Sequence, residues 1–232
     1  MKSSQKSWAR SKRAQAEDLA EEDDDENGEA NRLKRQTLNG KTHPKYYWKD
    51  GVYFSFHRNA TGRVKRVFRK AAKQWHENTC INFAENPKAP KRIQVMVETG
   101  CWSYVGNQHK VQPLSLGLGC DTVGTAAHEL GHAIGMFHTH SRHDRDNYIM
   151  VNAKNIKKSW LSQFKKETPK TNDNYGVTYD LGSIMHYTAS AASSNRKPSL
   201  IPLDTNYVET LGSPLISFNE ILMINQHYGC LG

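Results

Sequence analysis

The feature that most constrains this chain is a histidine-rich segment near its middle, which reads HELGHAIGMFH from His128 to His138. Residues four apart lie on one face of an α-helix, so the imidazoles of His128 and His132 can meet a single ion, with Glu129 beside that face. A straight helix cannot bring the next histidine to the same ion. Gly135 accepts the positive φ that a turn requires, and we therefore expect His138 to return as a third ligand.

Three neutral imidazoles predict a catalytic zinc site, because they leave the fourth coordination position open for water. Zinc lowers the pKa of that water to about 7, and Glu129 can take its proton as it attacks a carbonyl group. A short H-E-x-x-H match arises by chance in many chains, whereas the extended motif fixes five identities at set spacing. The alternative is a group of surface histidines in a chain that has 11 of them. His140 and His143 are left out because their spacing from Gly135 does not suit the same ion.

The composition limits the partners that we expect. The 232 residues include 32 Lys and Arg against 23 Asp and Glu, a net charge of +9. No arginine-rich stripe or aromatic stacking module accompanies this charge, so we expect no nucleic-acid partner and only attraction to acidic proteins or matrix. No apolar run approaches the roughly 18 residues of a membrane span, and the first twenty residues have no apolar signal-peptide core. We therefore expect no transmembrane segment.

The N-terminal part of the chain differs from the rest. Residues 1–35 hold 8 basic and 9 acidic residues, with an acidic run from Glu21 to Glu26 and almost no large apolar side chains. This composition predicts a disordered prosegment over 1–35 and a folded domain over 36–232. The boundary follows the basic sequence RLKR, which ends at Arg35. Two interpretations stay open: a solvated charge cluster, or a processing site that is cut between Arg35 and Gln36.

Hydrophobic periodicity predicts the main elements of the folded part. A strand is expected over Val52 to Phe56, and another where Ile93, Val95 and Val97 alternate. Amphipathic helices are expected from Val64 to Trp75 and from about Thr122 to Met136, with a second amphipathic stretch from Ile156 to Phe164. A long irregular region follows from Thr168 to Pro214, and a last helix is capped by Ser217 with Glu220 three residues on. This order predicts an α+β domain with two lobes and a cleft between them.

Cysteines and a glycosylation signal bear on the cellular compartment. Four cysteines allow three pairings if the compartment is oxidising. Asn59-Ala60-Thr61 is the one N-glycosylation sequon and lies in a predicted loop before a helix. It supports a glycoprotein only if the chain is secreted.

A second motif makes a family resemblance specific. The segment SIMHY, from Ser183 to Tyr187, resembles the Met-turn beneath the metal of metzincins. With the zinc motif and the sequence HTHSRHDRDNY over 138–148, it resembles the astacin family of zinc endopeptidases. Residues 100–106 (GCWSYVG) and 114–117 (LSLG) resemble the same family's upper lobe. The resemblance covers roughly Tyr46 to Cys230 and implies a two-lobed, metzincin/astacin-like protease fold with a zinc cleft between the lobes.

The resemblance also assigns roles to single residues. It implies one Zn²⁺ per chain, held by the three histidines and by Tyr187 as a displaceable ligand that then stabilises the oxyanion. Glu129 is the general base, and Met185 packs beneath the ligands. The implied disulfides are Cys80–Cys230 and Cys101–Cys120.

The expected function is therefore hydrolysis of peptide bonds in extracellular proteins by a Glu-activated, zinc-bound water. The alternative is a catalytically inactive zinc-binding pseudoprotease that acts as an extracellular binding module. We expect a secreted monomer with protein or peptide substrates.

Two features depart from the family pattern. Thr139 follows the third histidine, where family members usually carry a Glu that anchors the mature N-terminus, and residues 1–35 lack the Phe-x-Gly-Asp motif of family prosegments. Gln36 at a new N-terminus can cyclise to a neutral ring. A neutral terminus is consistent with a neutral residue at position 139.

Overall fold

The structure is a computed structural model that describes residues 37–38 and 44–230. The predicted prosegment, Arg35 and Gln36 lie outside the described residues. The α-helices are α1 (Gly62–Asn78), α2 (Val123–Ala133) and α3 (Phe218–His227). The strands are β1 (Thr37–Leu38), β2 (Val52–Phe56), β3 (Phe83–Glu85), β4 (Arg92–Met96), β5 (Cys101–Ser103), β6 (Val111–Leu116), β7 (Ile149–Val151), β8 (Asn172–Asp173) and β9 (Leu200–Pro202).

A five-stranded sheet forms the first half of the described chain. Its strand order is β3-β2-β4-β6-β5, with every pair parallel except β5 on β6. The helix α1 provides the crossover between the parallel neighbours β2 and β3, as parallel pairing requires. The predicted strand Val52–Phe56 is confirmed at both ends, and the alternating stretch that begins at Ile93 forms β4.

Helix α1 begins where Thr61 caps it, since the Thr61 hydroxyl accepts a hydrogen bond from the backbone N–H of Val64 at 3.1 Å. Its apolar face packs against the sheet and against α2. The ring centroids of Phe54 and Phe68 lie 5.1 Å apart. The indole N–H of Trp75 donates to the carbonyl of Ala127 at 3.0 Å. The sheet and α1 together support α2, which carries the zinc motif.

Helix α2 is shorter than predicted. It begins after the N-cap Thr122, as expected, but ends at Ala133 rather than near Met136. Gly135 has a φ of +108°, which no continuing helix can contain, so the chain turns here. The early end releases the segment that leads to the third histidine.

The second half of the described chain has little regular structure. The predicted amphipathic stretch at 156–164 forms a 3₁₀ helix, Lys158–Phe164, rather than an α-helix. The expected irregular region contains two short strands, β8 and β9, which pair with β1 and β7. Shorter 3₁₀ helices lie at Pro44–Tyr46, Thr139–Ser141, Arg145–Asn147, Ala153–Asn155 and Thr205–Tyr207. The predicted capping box of Ser217 and Glu220 is confirmed at the start of α3.

Two hydrophobic cores underlie the two halves. The first joins the sheet, α1 and α2 to α3 and includes Met185, whereas the second includes Trp160, Phe164 and Tyr187. The segment from Ser183 to Tyr187 therefore connects the two cores, as expected for an α+β domain of two lobes. Within the described residues, no helix is both long enough and apolar enough to cross a membrane.

Candidate active site

Helix α2 places two of the predicted ligands on one buried face. The Nδ1 atom of His128 lies 2.7 Å from the carbonyl oxygen of Ile184. The Nδ1 atom of His132 lies 2.8 Å from the carbonyl oxygen of Met136. A carbonyl can only accept, so each Nδ1 carries the hydrogen and each Nε2 presents a lone pair. Burial lowers the pKa of His128 to about 4 and that of His132 to about 3, so both rings are neutral.

The turn at Gly135 brings the third histidine to the same point. The Nε2 atom of His138 lies 3.2 Å from that of His132 and 3.3 Å from that of His128. A tetrahedral zinc ion bound at 2.0–2.1 Å requires nitrogen atoms about 3.3–3.4 Å apart, so the three rings fit zinc closely. Among the described residues, these three histidines form the group that could hold a metal ion. The site therefore fits one Zn²⁺.

Two further predicted site residues lie beside this group. Glu129 follows His128 on α2, and its side chain is only 2% exposed. The ring of Tyr187 lies with its centroid 4.4 Å from that of His138 and 3.9 Å from that of His140. Glu129 is thus buried on α2, and Tyr187 is buried next to His138.

Met185 lies beneath α2, in the segment that resembles a Met-turn. A Cβ atom on Gly131 would meet the Met185 sulfur at 2.7 Å, so the glycine of the motif lets the helix approach this side chain. The backbone carbonyl of Ile184, which receives the His128 hydrogen bond, belongs to the same turn. The turn thus orients a ligand as well as filling space below it.

The two histidines excluded by their spacing have other partners. The Nε2–H of His140 donates to the carbonyl of Gln163 at 3.1 Å, and the Nδ1 of His143 lies 2.7 Å from the amide oxygen of Asn172. His140 also packs on the rings of His138 and Tyr187 and thereby helps to hold both rings in place.

Sequence reasoning missed a buried polar chain behind the ligands. The Thr139 hydroxyl donates to Ser183 Oγ at 2.8 Å, and the Ser183 hydroxyl donates to Glu220 Oε1 at 2.5 Å. Glu220 also accepts from the backbone N–H of Met185 at 3.2 Å and from that of Ser217 at 2.7 Å. The capping box was the one sequence signal at Glu220, and it indicated a helix start rather than a link to the Met-turn.

The remaining predicted residues lie away from the histidine group. Disulfides join Cys80 to Cys230 and Cys101 to Cys120, the pairs that the family resemblance implies. The Asn59 amide bonds both backbone groups of Val97, with its Nδ2 donating at 2.8 Å and its Oδ1 accepting at 3.2 Å. Since Thr61 caps α1, the sequon has a structural explanation, and glycosylation stays a prediction.

Comparison with known proteins identifies the family. The family model for the astacin peptidases matches residues 40–229. The chain belongs to the astacin family. It is 49% identical over 201 residues to zinc metalloproteinase nas-31 of Caenorhabditis elegans, covering 87% of this chain and 33% of that protein. It is 40% identical over 185 residues to zinc metalloproteinase dpy-31 of Teladorsagia circumcincta, covering 76% of this chain and 30% of that protein.

A solved astacin-like structure has the same fold. The chain is similar to high choriolytic enzyme 1, a hatching enzyme zinc-protease from Oryzias latipes, with a TM-score of 0.72 and 31% identity. The match covers 77% of this chain and 89% of that one. The predicted two-lobed astacin fold is thereby confirmed. This astacin chain spans about a third of the length of the curated relatives that it matches.

Proposed function

We propose that the chain is a zinc-dependent endopeptidase that hydrolyses peptide bonds of extracellular proteins, with Glu129 as general base. The observation that carries the proposal is the convergence of three Nε2 atoms on one point, two of them on the helix that also carries the buried carboxylate of Glu129. Membership in a peptidase family supports the reaction class.

His128, His132 and His138 would hold the metal, and Tyr187 would be a further, displaceable ligand. When bound, zinc lowers the pKa of a coordinated water to about 7 and polarises the carbonyl of the scissile bond. The carbonyl groups of Ile184 and Met136 keep two of the imidazoles in the tautomer that presents Nε2. His128 and His132 are thus already oriented to bind the ion.

Glu129 would take a proton from the attacking water and deliver it to the amine that leaves. Its burial keeps bulk solvent away from the carboxylate. Tyr187 would donate its phenolic hydrogen to the oxygen on which negative charge develops. A donor aimed at that oxygen stabilises the transition state more than the substrate.

We also infer that the protein is secreted. Two disulfides are typical of an oxidising compartment, and protein substrates outside the cell are consistent with the hatching-enzyme relative. Glycosylation at Asn59 belongs to the same proposal. Mass spectrometry of secreted protein before and after glycosidase treatment tests it.

We also propose that residues 1–35 form a prosegment and 36–232 the catalytic domain, with cleavage between Arg35 and Gln36. The pairing of β1 with β8 begins at Thr37, the second residue after the proposed cleavage site, and supports this boundary. N-terminal sequencing of active material tests it. A start well away from residue 36 would reject this cleavage site.

The deciding experiment for activity is the substitution Glu129→Gln. The variant should keep one zinc per chain and lose hydrolysis of a generic protein substrate by a factor on the order of 10²–10⁴, because only the proton acceptor is removed. The matched control is Glu77→Gln, which changes an exposed glutamate on α1 and should leave turnover unchanged. A chelator should abolish the activity of the unaltered chain.

Three outcomes would contradict this assignment. Near-normal turnover of Glu129→Gln at full zinc occupancy would exclude Glu129 as the base. Absence of hydrolysis by the zinc-loaded chain after cleavage between Arg35 and Gln36 would favour the pseudoprotease alternative. Activity that survives complete metal removal would exclude zinc from the reaction.

A further inference from the structure

Positively charged side chains are concentrated on the solvent side of α1. Among the 17 residues of this helix, six are Lys or Arg and only Glu77 is acidic. The apolar residues of α1 face the first core, so the charged ones occupy the opposite side, which we call the basic face. The basic face consists of Arg63, Lys65, Arg66, Arg69, Lys70 and Lys73. These residues are interspersed with apolar ones in the sequence and form a stripe only where the helix brings them together.

This charge distribution disfavours the helix. Arg66 has like-charged neighbours three residues away at Arg63 and Arg69 and four residues away at Lys70, and like charges at these spacings repel. The first turn contains Arg63 and no acid, although the positive end of the helix dipole favours an acid there. Neutral polar residues would give the same fold without either cost.

Ion pairs within the chain neutralise only part of the basic face. Arg63 pairs with Asp121 at 2.5 Å, Arg69 pairs with Glu85 at 2.8 Å, and Lys73 pairs with Glu77 at 3.4 Å. Among the residues that the structure describes, no carboxylate lies within 4.0 Å of the side-chain nitrogens of Arg66 or Lys70. Both side chains are exposed, so two cations remain at the centre of the face.

The basic face is a line rather than a pocket. From Arg63 to Lys73 it extends about 15 Å, at 1.5 Å per helical residue. Helix α2 packs on the other side of α1, through the hydrogen bond between Trp75 and Ala127. A partner bound to the basic face would therefore lie on the side of α1 away from the ligand helix.

We propose that the basic face binds a linear sulfated polysaccharide. Charge complementarity favours a polyanion, and the linear arrangement suits a chain with regularly spaced negative groups. The disulfides indicate an oxidising compartment, where sulfated polysaccharides rather than nucleic acids are the common linear polyanions. This binding holds the protein in an extracellular matrix and is independent of peptide hydrolysis.

The test compares two variants of the full chain that lose the same charge. Arg66→Gln/Lys70→Gln changes the centre of the basic face, and Lys157→Gln/Lys158→Gln changes two exposed lysines in the second half of the chain. Affinity for a labelled heparin fragment is measured across a series of salt concentrations. The first variant should bind at least about tenfold more weakly, with a salt slope lower by about two, because two ionic contacts are lost. The second variant should bind as the unaltered chain does.

Three results would overturn the proposal. Equal losses in the two variants would show that net charge alone attracts the polysaccharide. Absence of heparin binding by the unaltered chain at physiological salt would show that the basic face is not a polysaccharide site. Equal competition by a DNA duplex of the same total charge would exclude a sulfated polysaccharide as the preferred partner. Circular dichroism of both variants checks that each remains folded.

Discussion

At the scale of single residues, Tyr187 connects the ligand group to the second core. Its ring contacts His138 and His140 on one side and Phe164 at 5.6 Å on another, and only 4% of it is exposed. These three ring contacts tie the position of Tyr187 to both the histidine group and the second core.

We predict that Tyr187→Phe lowers kcat/KM by a factor on the order of 10² while zinc affinity changes little. The variant keeps the ring packing and loses only the donor to the developing oxyanion. Steady-state kinetics and a zinc competition titration measure the two effects separately. The control is Tyr207→Phe at an exposed tyrosine. Loss of zinc with normal turnover of the reloaded enzyme would contradict this role.

A second prediction concerns Thr139, which is 2% exposed and bonded to Ser183. Thr139→Glu should destabilise the protein by about 2 kcal/mol or more at pH 8, because it buries a second carboxylate next to the Ser183–Glu220 pair. Denaturant unfolding measures the change, and Thr139→Gln separates the effect of size from that of charge. A large stabilisation would instead indicate a charged N-terminus nearby and would reject the neutral-terminus hypothesis.

The histidine group was predictable because its spacing is local in sequence. One helix and one glycine turn determine where His128, His132 and His138 lie. The atoms that orient them were not predictable in the same way. The carbonyl that holds His128 belongs to Ile184, 56 residues away, and that contact depends on how the two halves pack.

At the scale of elements, α3 is joined to the Met-turn by the carboxyl of Glu220. The pKa of Glu220 is raised to about 7, chiefly by burial and to a smaller extent by the charge on Asp180, although hydrogen bonds from Ser183, Ser217 and Met185 act to lower it. Because this pKa is raised, folded protein keeps a proton on Glu220 at pH values at which the unfolded chain has already released it. The link between α3 and the Met-turn is therefore sensitive to pH.

The sign of this effect can be tested with Glu220→Gln. The stabilising contribution is fully present below the unfolded value near 4.5 and is lost as pH rises through about 7. The unaltered protein should therefore lose stability relative to Glu220→Gln between about pH 4.5 and 7. Urea unfolding at pH 5 and pH 8 measures this difference, with Glu77→Gln as the exposed control. A difference that is the same at both pH values would exclude titration of Glu220.

The regular elements were predictable to the extent that local patterns determine them. Strand β2, helix α1 and the capped start of α3 each carry a clear period or cap. The stretch at 156–164 has similar apolar spacing and yet forms a 3₁₀ helix. Its side chains pack into the second core, whose strands and loops are distant in sequence, so tertiary contacts decide its conformation.

At the scale of the whole molecule, the end of α3 returns to the first half of the chain. The Tyr228 hydroxyl donates to the carbonyl of Ile134 at 3.0 Å, and the Asn225 amide donates to the carbonyl of Asn78 at 3.0 Å. The Cys80–Cys230 disulfide closes the same contact over a separation of 150 residues. Hydrogen bonds and one covalent bond thus hold the C-terminal helix against the ends of α1 and α2.

The last prediction ranks the two disulfides by the loops that they close. On the chain-entropy model, Cys80–Cys230 should contribute about 5 kcal/mol, whereas Cys101–Cys120, with a separation of 19, should contribute about 3 kcal/mol. Denaturant unfolding of Cys80→Ala/Cys230→Ala and Cys101→Ala/Cys120→Ala measures both. The second pair is buried, so the measured loss there includes packing as well as entropy. Peptide mapping without reduction checks the pairings. Near-zero loss for the first variant would mean that the hydrogen bonds alone hold the helix.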